Sequence, residues 1–177
     1  MAQTKSHSVG SNIVLIGMPG SGKSTVGKRL AKSLDMTFLD TDHLLEQRTN
    51  LKIQDIVNLR GLNFFRRLEE TVLAELECEN TVIATGGSAV YSAKAMQHLG
   101  DIGARVYLRI SLATMLRRVQ NKGNRGLVKL ARLPLQGLYQ ERRNLYPNVA
   151  DVVVDNNAGL TDIFFDQLIS SLRAYER

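Results

Sequence analysis

The chain has 177 residues, 44% of them hydrophobic and 23% charged, with a formal net charge of +6. That length and apolar content suit one soluble domain with a substantial core and exclude a disordered chain. No apolar run approaches the ~20 residues of a membrane span, and the lone cysteine, Cys78, excludes an internal disulfide or a cysteine-built metal site.

These features point to the cytoplasm. Met1 to Asn12 is polar and lacks the apolar stretch of a secretory signal, so residues 1–11 read as a flexible tail before a single domain over 12–177. Ile13-Val-Leu-Ile16 predicts a strand, and beyond the next glycines Val26, Leu30, Ala31 and Leu34 recur at helical spacing. Met36–Leu39 predicts a second strand. Asp40-Thr41-Asp42 follows, with Thr41 or Asp42 placed to cap a helix carrying Leu44 and Leu45. Ile53, Ile56 and Val57 predict a short helix ended near Gly61. Phe65, Leu68, Val72 and Leu76 predict a longer one over Leu62–Leu76, and Cys78 falls in a helix-like stretch and reads as structural. Thr81–Ala84 has the pattern of a buried strand and runs into Thr85-Gly86-Gly87-Ser88. A helix near Ser92–Leu99, a strand over Arg105–Ile110 and a helix from Ser111 come next. Asn121 to Pro134 keeps no period and reads as a lid, about 121–135. Leu135–Tyr146 regains a helical pattern, Asp151–Asp155 is a β-branched strand, and Leu160–Leu172 predicts a final helix with Ile163, Phe164, Leu168 and Leu172 inward.

Five buried strands alternating with helices give a three-layer α/β fold with a parallel sheet and helices on both faces. Ligands of such sheets sit beyond the carboxyl ends of the strands. Three motifs lie there. The first is Gly17-Met-Pro-Gly20-Ser21-Gly22-Lys23-Ser24-Thr25, which fits G-x-x-x-x-G-K-[ST]. Such a loop aims backbone N–H groups at a phosphate, and the helix behind it adds a partial positive charge. Lys23 can bridge the outer phosphates and Ser24 can ligate Mg²⁺. The second is Asp40-Thr41-Asp42. Asp40 is placed to complete the Mg²⁺ shell, directly or through water, and Asp42 can orient an acceptor hydroxyl and take its proton, unless it serves only as a cap. The third is Gly86-Gly87, which admits close approach of an acceptor to backbone, or else makes a simple strand-to-helix turn.

Arginines raise a further choice. Arg66 can pair with Glu70 one helical turn on, or recognise an anionic substrate with its planar fork, and Arg142 and Arg143 pose the same question later. Arg125 can close over a transferring phosphate or be an ordinary solvated charge. Eight Lys/Arg between Ser111 and Arg143 raise nucleic-acid binding, but Tyr139 stands alone among them, without the alternating aromatics that stack bases. His43 and His98 form no metal-spaced constellation.

Gly17 to Ser24, Phe38-Leu-Asp-Thr-Asp42, Phe65-Arg-Arg-Leu-Glu-Glu70 and Ile83-Ala-Thr-Gly-Gly-Ser-Ala-Val90 together resemble the shikimate kinase family, over nearly the whole chain from about Asn12. The resemblance implies the P-loop fold of nucleoside-monophosphate-kinase type, sheet order 2-3-1-4-5, with a substrate-binding segment about 42–70. It implies an ATP-dependent kinase that phosphorylates the 3-hydroxyl of shikimate, with Mg²⁺ as cofactor and no nucleic-acid or membrane partner. Carried over by motif, Lys23, Asp42 and Arg125 are catalytic. Gly20, Ser21, Gly22, Lys23, Ser24, Thr25, Arg118 and Arg125 bind ATP, with Arg118 packed on adenine. Asp42, Arg66, Gly86, Gly87 and Arg142 bind the acceptor, and Ser24 and Asp40 hold the metal. Three positions depart from the family pattern. Ser88 stands where a third glycine is usual, Gly126 follows Arg125 where proline is usual, and Leu62 replaces a glutamate. Shikimate is the expected acceptor, with another small hydroxylated carboxylic acid as the alternative. A monomer is expected, since no unexplained apolar stripe calls for a partner.

Overall fold

A computed structural model of the chain describes residues 11–121 and 134–175. Five parallel strands form one sheet in the order β2-β3-β1-β4-β5: β1 (Asn12–Ile16), β2 (Thr37–Asp40), β3 (Thr81–Ala84), β4 (Gly103–Arg109) and β5 (Val152–Asp155). This is the order implied by the resemblance. Every residue of the central strand β1 is buried. Side chains alternate along a strand. Ile13 and Leu15 therefore join one core layer, with Val26 and Leu30 of α1 (Lys23–Leu34) and Phe164, Phe165 and Leu168 of the last helix. Val14 and Ile16 join the opposite layer, with Leu73, Met96, Leu99 and Tyr146.

The connections are α2 (Thr41–Thr49), α3 (Ile53–Arg60), α4 (Leu62–Ala74), a 3₁₀ turn (Ala89–Tyr91), α5 (Ala93–Ile102), α6 (Leu112–Asn121), α7 (Leu135–Arg142), α8 (Leu145–Val149) and α9 (Asp162–Tyr175). The segment from α2 to α4 carries a small core of its own, Leu45, Ile56, Phe65 and Val72. Among the described residues no helix is long and apolar enough to cross a membrane.

Several local expectations need correction. Asp40, not Thr41 or Asp42, caps α2: its carboxylate accepts from the Asp42 N–H at 3.1 Å. The helical pattern over Leu135–Tyr146 breaks into α7 and α8. Pro147 lies in the first turn of α8, where a missing N–H is tolerated; in one continuous helix its ring would clash with the Arg143 carbonyl. Cys78 lies beyond the end of α4, outside any helix, although half-buried as expected of a structural residue. Ile163 is 71% exposed, and Phe165 takes the inward place next to Phe164. Residues 1–10 of the expected tail and 122–133 of the expected lid, with Arg125 and Gly126, lie outside the described residues.

Candidate active site

Strand β1 ends in the glycine loop. Gly22, at φ +94°, immediately precedes α1 without any side-chain cap, so the first N–H groups of that helix are left for an external acceptor. A side chain there would be strained, and its Cβ would stand 3.1 Å from Asn156 Nδ2. Lys23 Nζ donates to the loop carbonyls of Gly17 (2.7 Å) and Met18 (3.1 Å). The loop is braced from behind. Buried Asn156, just past β5, donates to Ser21 O at 2.7 Å.

The end of β2 faces this loop. The Ser24 hydroxyl donates to Asp40 Oδ2 at 2.7 Å, so the two expected metal ligands already touch. A hydroxyl and a carboxylate are hard oxygen donors, and Mg²⁺ characteristically takes one or two such protein ligands and completes its shell with phosphate and water. Among the described residues no cluster of three acidic, histidine or cysteine side chains offers an all-protein cage. The donor set therefore fits Mg²⁺ carried in with a nucleotide.

Gly20, Gly22, Lys23, Ser24, Thr25, Asp40, Asp42, Gly86 and Gly87 line one cleft. Gly86 is there for close approach: a Cβ on it would run into the carboxylates of both Asp42 and Glu69. Its N–H donates to the buried Thr41 hydroxyl at 3.2 Å, which ties the glycine turn to the start of α2. Burial, with Asp40 nearby, pushes the Asp42 carboxyl up to about 6, against the pull of Lys23. Glu69, only 2% exposed, is pushed up by burial to about 7, although the Ser88 hydroxyl donates to its Oε2 at 2.5 Å.

The two arginines expected to share a substrate are brought together. Arg66 on α4 and Arg142 on α7 both lie against the Tyr91 ring, at 4.6 and 4.8 Å from its centroid. Glu70 is not Arg66's partner; it accepts from Ser92 Oγ. Arg142 is 8% exposed, and a Cβ on Gly87 would stand 3.1 Å from its terminal nitrogen, so it abuts the cleft wall. Arg118 lies on the far side of the loop. It donates to Gly20 O at 3.3 Å and Asn156 O at 2.7 Å, joining the glycine loop to the segment after β5.

A family model described as Shikimate kinase matches residues 19–173. The chain belongs to the shikimate kinase family. A shikimate kinase of Thiobacillus denitrificans is 42% identical over 89% of this chain and 90% of its own. Among solved structures, shikimate kinase from Acinetobacter baumannii in complex with shikimate superimposes with a TM-score of 0.83 at 35% identity. It covers 96% of this chain and 97% of that one. The enzyme from Aquifex aeolicus gives 0.75 at 32% identity, over 92% and 96%. The chain is accordingly an ATP-dependent kinase of the shikimate kinase family, and its fold is that of the family.

Motif reading passes over four residues that brace this cleft from behind its lining: Thr41, Glu69, Tyr91 and Asn156. Thr41 and Glu69 lie inside quoted motifs, yet their burial has no signature in spacing. Asn156 and Tyr91 follow the cleft-facing end of β5 and the Gly86-Gly87 turn, and position after a strand end is the one signal that could have flagged them.

Proposed function

We propose that this chain transfers the γ-phosphoryl group of ATP to the 3-hydroxyl of shikimate, giving shikimate 3-phosphate and ADP. The observation that carries the reading is a cleft in which a phosphate-cradling loop faces Asp42, with Arg142 against its Gly87 wall and Arg66, which lines a separate pocket, beside the same Tyr91 ring as Arg142. The likeness to an Acinetobacter enzyme seen with shikimate supports the choice of acceptor.

The glycine-loop N–H groups and Lys23 hold the phosphates, with Gly20, Ser21, Gly22, Ser24 and Thr25 forming the cradle. Arg66 and Arg142 bind the acceptor carboxylate, and Gly86 and Gly87 let the acceptor lie close to backbone. Asp42 orients the 3-hydroxyl and accepts its proton as that oxygen bonds to the γ-phosphorus and the bond to the β-phosphate oxygen breaks. Lys23 and Arg125 offset the charge of the transferring group. Ser24 and Asp40 would hold Mg²⁺, which when bound neutralises phosphate charge. Arg118 packs on adenine. The enzyme acts as a monomer in the cytoplasm, with sedimentation at the 19.7 kDa chain mass as the check.

A coupled ADP-release assay with shikimate tests the reaction. Turnover with shikimate is expected; faster turnover with another small hydroxy acid in a panel would reassign the acceptor. Arg66→Ala is expected to raise KM for shikimate by about tenfold or more and leave KM for ATP within about twofold. An equal rise in both would remove the carboxylate clamp.

A further inference from the structure

We propose that Tyr91 is a positioning residue for acceptor recognition: one phenol ring and its hydroxyl set the spacing and orientation of both Arg66 and Arg142. The proposal rests on the reading of those arginines as the acceptor's carboxylate clamp.

The two guanidinium groups come from elements far apart in sequence, α4 and α7, and carry like charges. Left to themselves they repel. The face of an aromatic ring is electron-rich and attracts a cation within about 6 Å of its centroid. Tyr91 offers that surface to both, at 4.6 Å for Arg66 and 4.8 Å for Arg142. The hydroxyl adds direction. It accepts from Arg142 Nε at 3.0 Å and donates to Glu141 Oε1 at 2.7 Å, so α7 is gripped at two successive residues. With Nε engaged by Tyr91, one terminal nitrogen, Nη1, is the part of the Arg142 fork that stands against Gly87. The Tyr146 hydroxyl donates to Gly87 O at 2.9 Å and fixes the same corner.

Tyr91 itself is anchored at the cleft. It closes the 3₁₀ turn that follows Gly86-Gly87, and its N–H donates to Ser88 O at 3.0 Å. Ser88 in turn holds Glu69 on α4, one turn beyond Arg66. The turn therefore touches both clamp helices, and the Tyr91 ring meets both arginines. A planar carboxylate is bound well only when both forks lie at fixed orientation, so loosening the ring weakens acceptor binding before it affects phosphoryl transfer.

The test is steady-state kinetics of Tyr91→Phe and Tyr91→Leu beside Arg66→Ala. Phe keeps the ring and loses the hydroxyl; Leu loses both. Tyr91→Leu is expected to raise KM for shikimate by about tenfold and Tyr91→Phe by about threefold, with kcat and KM for ATP within about twofold. This partial rescue by Phe is a response that general loosening would not give. A Tyr91→Leu KM for shikimate within twofold of the parent, or an equal rise in KM for ATP, overturns the proposal. If Arg66→Ala raises KM for shikimate and Tyr91→Leu does not, the clamp stands and the role of Tyr91 falls. If Arg66→Ala leaves it unchanged, the clamp falls and takes the Tyr91 proposal with it.

Discussion

Asp42 carries the sharpest conflict between stability and chemistry. Its carboxyl titrates near 6 in the folded protein, against an ordinary 3.8, because it is buried beside Asp40. For an acid raised in this way, the stability it contributes is full below pH 3.8 and lost as pH rises through 6. Asp42→Asn removes the charge. It should stabilise the protein at pH 8 by about 1–2 kcal/mol in urea denaturation while lowering kcat by about a hundredfold or more. The parent enzyme should lose kcat/KM as pH falls below about 6, as the acceptor of the hydroxyl proton becomes protonated. Ser88 gives a second residue-scale expectation. Its hydroxyl is bonded to a buried carboxyl that burial pushes to about 7. Ser88→Ala should cost about 1–2 kcal/mol at pH 8, where Glu69 is charged, and less at pH 5.5, because hydrogen bonds to a charged acceptor are stronger. Urea curves at the two pH values read the difference. The family resemblance made Ser88 visible as a departure from the pattern; only its distance to Glu69 says what the hydroxyl does.

Elements were legible where their periodicity was long. The strand before the glycine loop and the faces of α1 and α4 follow directly from apolar spacing. Their ends were less legible, because a cap is one side chain meeting one N–H: three polar residues in Asp40-Thr41-Asp42 can each do it, and tertiary position selects Asp40. The register of β4 beside β5 likewise depends on a contact remote in sequence. Arg105 donates to Asp151 through Nε (2.9 Å), Nη2 (2.8 Å) and its backbone N–H (2.8 Å). Burial opposes ionisation of Asp151, yet these hydrogen bonds outweigh it and hold its carboxyl below the ordinary 3.8. Its contribution to stability is thus present above pH 3.8 and lost as pH falls through the lowered value. Asp151→Asn should cost about 2 kcal/mol at pH 7, and the deficit should shrink in acid; urea denaturation at pH 7 and pH 3 checks it.

At the scale of the molecule, the sheet order 2-3-1-4-5 puts the ends of β1, β2 and β3 side by side, so three loops that are distant in sequence share a cleft. A ligand that binds only this assembled form stabilises the fold by mass action. ATP with Mg²⁺, at about a hundred times its dissociation constant, should add about 2.7 kcal/mol and raise the melting temperature by several degrees. Chelating the metal with EDTA should remove part of that rise, because Ser24 and Asp40 then face uncompensated phosphate; differential scanning calorimetry with and without EDTA measures it. The sequence by itself determined the strand, glycine loop and uncapped helix start, because these residues are contiguous and their geometry is local. It also determined the parallel α/β class, which follows from apolar period. What only the tertiary structure decided is which side chains meet beside the glycine turn, Arg66 with Arg142 at one ring and Ser88 with Glu69. Arg66, Glu69, Ser88, Tyr91 and Arg142 come from three separate elements, and their meeting depends on side-chain packing between helices, which no local pattern encodes.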